Sequence, residues 1–105
     1  MKLITKAIEK KLLNAPLYSK DGQGMDAEVI VKFFNPYGAG TWLVTEAEKH
    51  ENGDWTFFGA AEIGHGFELG YVTFNELSSL RKFGRPQIER DMHFDGGALS
   101  KYCEL

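Results

Sequence analysis

The segment Glu89-Arg90-Asp91-Met92-His93 holds the sharpest local set of residues able to do chemistry in this sequence. Read as part of a strand over Ile88 to Phe94, its alternation puts Glu89, Asp91 and His93 on one face. Two carboxylates and an imidazole suit Mn²⁺ or a similar divalent ion, which could activate water for hydrolysis of a nucleic acid or nucleotide. Residues two apart on a strand stand roughly 6 to 7 Å apart, wider than the ligands of one ion. The plainer expectation is therefore a charged face pairing with Arg81, Lys82 or Arg85. Glu46-Ala47-Glu48-Lys49 would add the lysine of a nuclease, but alternation sends Lys49 to the face opposite Glu48. Neither His50 nor His65 has a serine and acid spaced for a nucleophile relay. Cys103 is the single cysteine, so no internal disulfide, thiolate zinc set or CxxC pair is expected. No catalytic residue, metal site or cofactor is assigned, and the chain is expected to act by binding.

The elements that must position these residues follow from periodicity and turn chemistry. Thr5 is placed to cap a helix over Lys6 to Asn14, whose apolar stripe is Ile4, Ile8 and Leu12. Asn14 to Asp26, with Pro16, Gly22 and Gly24, reads as an irregular connection. Ala27 to Phe34 is rich in branched and aromatic residues and reads as a strand buried on both faces. Thr41 to His50 is the next strand. Asn52-Gly53 predicts a type I′ two-residue hairpin, with Val44 opposite Ala61 and Ala47 opposite Phe58. Trp42, Val44, Trp55, Phe57 and Ala61 then share a face. Phe67 to Thr73 is a further strand, and Thr73-Phe74-Asn75-Glu76 has the capping-box pattern for a helix over Phe74 to Lys82. The fold class expected is α+β: a single domain over residues 1–105, with a mainly antiparallel sheet of about five strands flanked by two or three short helices.

Charge is unevenly spread. Residues 1–20 carry five lysines against Glu9, and residues 44–76 carry seven acids against Lys49. Such asymmetry can steer a charged partner to one face. The hairpin acids Glu46, Glu48, Glu51 and Asp54 are the first candidates for partner contacts, followed by Glu89, Asp91 and His93. The lysine face of the first helix could meet phosphates or an acidic protein. Phe33, Phe34, Tyr37, Trp42, Trp55, Phe57 and Phe58 could stack on bases, but a domain this small needs most of them in its core. Direct sequence-specific reading of DNA is not expected. Lys2, Lys6, Lys10 and Lys11 interrupt any signal-peptide run, and no apolar stretch reaches the roughly 18 residues of a membrane span. A cytoplasmic monomer is expected.

Lys32-Phe33-Phe34-Asn35-Pro36, Trp42 with Val44-Thr45-Glu46, Phe58-Gly59, Glu68-Leu69-Gly70-Tyr71, Asn75-Glu76-Leu77 and Pro86 to Phe94 together resemble a family of short bacterial proteins of unknown function, frequent on plasmids, phages and integrated elements. The last segment is similar to the family form P-x-E-R-D-L-H-F, with Gln87 as an extra residue and Met92 in place of leucine. The resemblance implies a mobile-element accessory role without an established enzymatic activity. Some similar proteins are grouped with anti-CRISPR inhibitors of type II RNA-guided DNA nucleases. It therefore implies, as partner, such a nuclease or its guide RNA complex. The alternatives are the metal-dependent hydrolase carried by Glu89, Asp91 and His93, and an adaptor in plasmid maintenance.

Overall fold

Local capping and apolar alternation set most of the elements in the computed structural model, which describes residues 2–105. The Thr5 hydroxyl accepts from the Ile8 amide at 3.2 Å, so helix α1 (Lys6–Leu13) starts where a side chain satisfies one of its free N–H groups. Strands β1 (Val31–Phe34), β2 (Thr41–Lys49), β3 (Trp55–Glu62) and β4 (Phe67–Thr73) follow, then helix α2 (Phe74–Ser79). Two short strands, β5 (Arg81–Lys82) and β6 (Arg85–Pro86), pair only with each other, and β7 (Glu89–Arg90) returns to β1. The capping box at α2 is present in both directions: Thr73 accepts from the Glu76 amide at 3.1 Å, and Glu76 accepts from the Thr73 amide at 2.9 Å.

The main sheet runs β4-β3-β2-β1-β7 with every pairing antiparallel, which makes the chain the α+β domain its sequence predicts. Both helices press on one face. Leu12 of α1 and Leu77 of α2 meet Val31, Phe33, Val44, Ala47, Trp55 and Phe57 there, with Trp42 beside them and Ala61 opposite Trp42. The Phe33 and Phe57 rings lie 5.6 Å apart at its centre. A smaller cluster on the other face joins Leu43 and Ala60 to Ala27, Val29 and Leu99 from the flanking segments. Among the described residues no helix is long and apolar enough to cross a membrane.

Four expectations are corrected. The Asn52-Gly53 hairpin forms, but His50 pairs with Asp54 around a three-residue loop, and Gly53 alone in it takes positive φ, at 89°. That is a type I turn followed by a left-handed glycine, not a type I′ turn. The slip puts Ala47 opposite Phe57, and a bulge at Thr45 carries Val44 on to Gly59. Strand β1 starts at Val31, because the chain before it breaks into a 3₁₀ turn over Gly24–Asp26 and a bridge from Glu28 to Ala98. The last strand stops at Arg90, where the Asp91 carboxylate accepts from the His93 amide at 2.9 Å and turns the backbone. Helix α2 ends at Ser79 instead of Lys82, and the residues beyond it form the β5–β6 ribbon.

Candidate functional site

The four hairpin acids are not one outward patch. Glu46 is 4% exposed, and its two carboxylate oxygens accept from the backbone amides of Tyr18 at 2.8 Å and Lys20 at 2.9 Å. The bulge at Thr45 places Glu46 opposite Phe58 and under the Pro16 to Lys20 loop. There it holds Tyr18, whose φ of 71° is disfavoured for an aromatic residue. Asp54 is likewise committed, accepting from the Trp55 amide at 2.8 Å and from the Asn75 amide at 2.9 Å, which ties the hairpin to α2. Glu48 and Glu51 are exposed. Replacing Glu46 with glutamine sets an NH₂ group against a backbone donor. It is expected to cost about 2 kcal/mol of stability, read as a lower urea midpoint at unchanged slope.

Glu89, Asp91 and His93 are separated by the turn that ends β7. Glu89 pairs across the sheet with Phe34, while Asp91 meets Lys32 at 3.2 Å instead of any of the three arginine and lysine partners expected for it. Arg90 donates from Nε to the Lys2 carbonyl at 3.2 Å, pinning the segment before α1. Among the described residues no three His, Cys, Asp or Glu side chains gather in a way that could hold a metal ion. Partial burial pushes the Asp91 carboxyl up, but the His93 amide and the Lys32 ammonium together bring it below the ordinary carboxylate value. A depressed folded-state pKa adds stability above the unfolded value, and this is lost as pH falls through the folded value. Asp91→Asn is therefore expected to flatten part of the acid limb of a stability profile below about pH 4, with the difference from the parent shrinking towards the most acidic end.

The feature that the sequence reading passed over lies between the two helices. A groove of about 660 Å³ runs beside α1, α2 and the ribbon, with Trp55 and Leu77 among its lining residues. Its charged lining is Lys2, Lys6, Lys49 and Arg81 against Glu9 alone, and Glu9 is held by Lys49 at 2.8 Å. The ribbon extends this cationic surface. Arg81 pairs with Pro86, and both line the groove. On the next cross-strand pair, Lys82 and Arg85, strand alternation turns the side chains to the other face, where the Lys82 ammonium comes 6.0 Å from the Tyr37 ring. Lys2, Lys6, Arg81, Lys82 and Arg85 enter no ion pair among the described residues.

A family model described as "Protein of unknown function (DUF2958)" matches residues 3–105. The chain belongs to this family. A comparison with curated proteins finds no match, and a comparison with solved structures finds none.

In this DUF2958 chain the ribbon tip is its most exposed large apolar residue: Phe83 is 88% exposed among the described residues. Phe83 and Gly84 both take positive φ, 54° and 76°, so the tip is the two-residue turn with both centres left-handed that the sequence reading assigned to Asn52-Gly53. Glycine fits that backbone and phenylalanine does not, at a cost on the order of 1 kcal/mol. Phe83→Asn, which restores the residue this turn favours, is expected to leave thermal stability unchanged or raise it by up to about 1 kcal/mol. A loss larger than that would mean that the ring supports the fold.

Proposed function

We propose that this chain is a binding protein, not a catalyst, and that it engages a negatively charged partner through the groove and ribbon. The observation that carries this reading is a set of cations that enter no ion pair among the described residues: Lys2, Lys6 and Arg81 line the groove, and Lys82 and Arg85 stand on the other face of the ribbon beside it. Uncompensated like charges repel one another, and a partner's anions relieve that repulsion while releasing counterions. The ribbon buries almost nothing of its own: every residue from Ser79 to Pro86 is exposed. An isolated two-stranded hairpin is marginal in water, so this geometry is better suited to outside contact than to holding the fold.

For the partner we keep the type II RNA-guided nuclease loaded with its guide, met in the cytoplasm, as the resemblance to mobile-element proteins implies. Exposed guide phosphates supply the charge that the groove and ribbon lack, which moves the contact away from the acidic hairpin. Target-DNA cleavage by such a nuclease is expected to slow in excess parent protein and to run at its normal rate with Arg81, Lys82 and Arg85 all changed to glutamine. Cleavage unaffected by a large excess of the parent would reject that nuclease as partner. Equal inhibition by the triple variant would reject the surface.

A further inference from the structure

We propose that the ribbon tip is a stacking platform for unpaired bases, so that the partner presented to the cationic surface is single-stranded nucleic acid. This rests on the reading that the cationic surface is where the partner sits. It adds what the charge alone does not specify.

Phosphate recognition needs cations, and the groove already has them. It does not need an aromatic ring. Yet the turn between Lys82 and Arg85 carries a phenylalanine in a backbone conformation that penalises it, nearly fully exposed, with the Lys82 ammonium 5.5 Å from the ring. Tyr37, at the neighbouring β1–β2 turn and 47% exposed, has its ring 6.0 Å from the same ammonium. Two exposed aromatic residues near one cation, with Arg81 and Arg85 on the adjoining backbone, form the combination by which single strands are held. Bases stack on rings while arginine and lysine follow the phosphates, and every base has a face to offer, so sequence matters little. A duplex keeps its bases stacked on one another and can satisfy only the cations. An acidic protein surface can likewise satisfy the cations and leave Phe83 in water. Tyr37 is held for this role by Asn35, whose side-chain oxygen accepts from the Tyr37 amide at 2.9 Å and whose NH₂ donates to the Ala39 carbonyl at 3.1 Å, so the turn is pre-shaped.

The test compares binding of labelled dT15 and rU15 with a 15-base-pair duplex, inorganic polyphosphate and polyglutamate, for the parent, Phe83→Asn and Phe83→Trp. Asparagine keeps the turn and removes the ring, and its fold is checked by thermal melting. The parent is expected to hold the single strands about ten-fold or more tighter than the duplex or either baseless polymer. Phe83→Asn is expected to lose roughly ten-fold on the single strands and less than two-fold on polyphosphate. Phe83→Trp restores the preference, with indole fluorescence quenched by dT15 and not by polyphosphate. If the parent holds all the polyanions alike and Phe83→Asn changes nothing, the platform is overturned while the cationic surface stands. Tighter binding of polyglutamate than of dT15 identifies an acidic protein as the partner class and also overturns it. Failure to bind any polyanion, polyphosphate included, removes the cationic surface reading and this inference with it.

Discussion

Gly59→Ala is expected to unfold much of the population under conditions where the parent is folded. The reason is a backbone approach, not a turn. Gly59 stands opposite Val44 beside the bulge at Thr45, and a Cβ built on it would lie 1.9 Å from the Leu43 carbonyl oxygen and 3.0 Å from the Val44 Cα. Neither neighbour is a side chain that can swing away. To admit a methyl group, β2 would have to leave β3 at the centre of the sheet, where Leu43 and Ala60 close the second core and Phe57 closes the first. Overpacking a core costs about 1 to 3 kcal/mol when side chains can adjust, and this site exceeds that range because backbone must move. A drop in melting temperature of about 15 °C or more is expected, with Gly70→Ala on β4, where nothing lies within 4 Å, as the control that melts near the parent. Equal melting of Gly59→Ala and the parent would mean that β2 is not bulged against β3 as described.

The largest effect on binding is expected from removing the three ribbon charges together. Each phosphate contact on a single strand contributes about 0.7 to the slope of log affinity against log salt. Losing Arg81, Lys82 and Arg85 should therefore flatten that slope by about 2 and, at 0.1 M salt, weaken binding roughly 100-fold. Both changes come from the same contacts, so they must appear together in titrations run at several salt concentrations. Because all three residues are exposed, the variant should melt close to the parent. Charge reversal at Glu48 and Glu51, the two exposed members of the hairpin acids, should leave anion binding unchanged or strengthen it slightly.

Features that rest on a few neighbouring residues were legible before the structure. The Thr5 cap, the Thr73-Glu76 capping box and the antiparallel sheet are all local chemistry, and all are present. Register was not legible. Asn52-Gly53 marks a hairpin without deciding between loops of two and three residues, and the bulge at Thr45 depends on Glu46 being drawn under the Tyr18 loop, a partner 28 positions away in sequence. The same long-range hydrogen bonds explain why Glu46 looked available in the sequence and is internal in the fold. Asp91 reads as one more alternating residue, yet its side chain bends the backbone and ends the strand, so the apparent shared face of Glu89, Asp91 and His93 dissolves.

The ribbon was missed for a related reason. Arg81 and Lys82 continue a helical stretch acceptably, and phenylalanine is a poor predictor of a left-handed turn. Two signals could have found it: Gly84, in a stretch that offers no apolar residue between Leu80 and Phe83 to continue the helix, and Pro86, which is tolerated at the edge of a short ribbon. With Arg81, Lys82 and Arg85 grouped around that turn, the basic surface would have stood out against the acidic hairpin.

Amide chemical-shift mapping of isotopically labelled protein during titration with dT15 tests the binding surface most directly. Binding at the groove and ribbon requires the shifted amides to cluster at Lys2 to Lys6, at Tyr37 and from Arg81 to Arg85, with those from Glu48 to Glu51 still. Saturable shifts centred on Glu48 to Glu51 and a silent ribbon would contradict it.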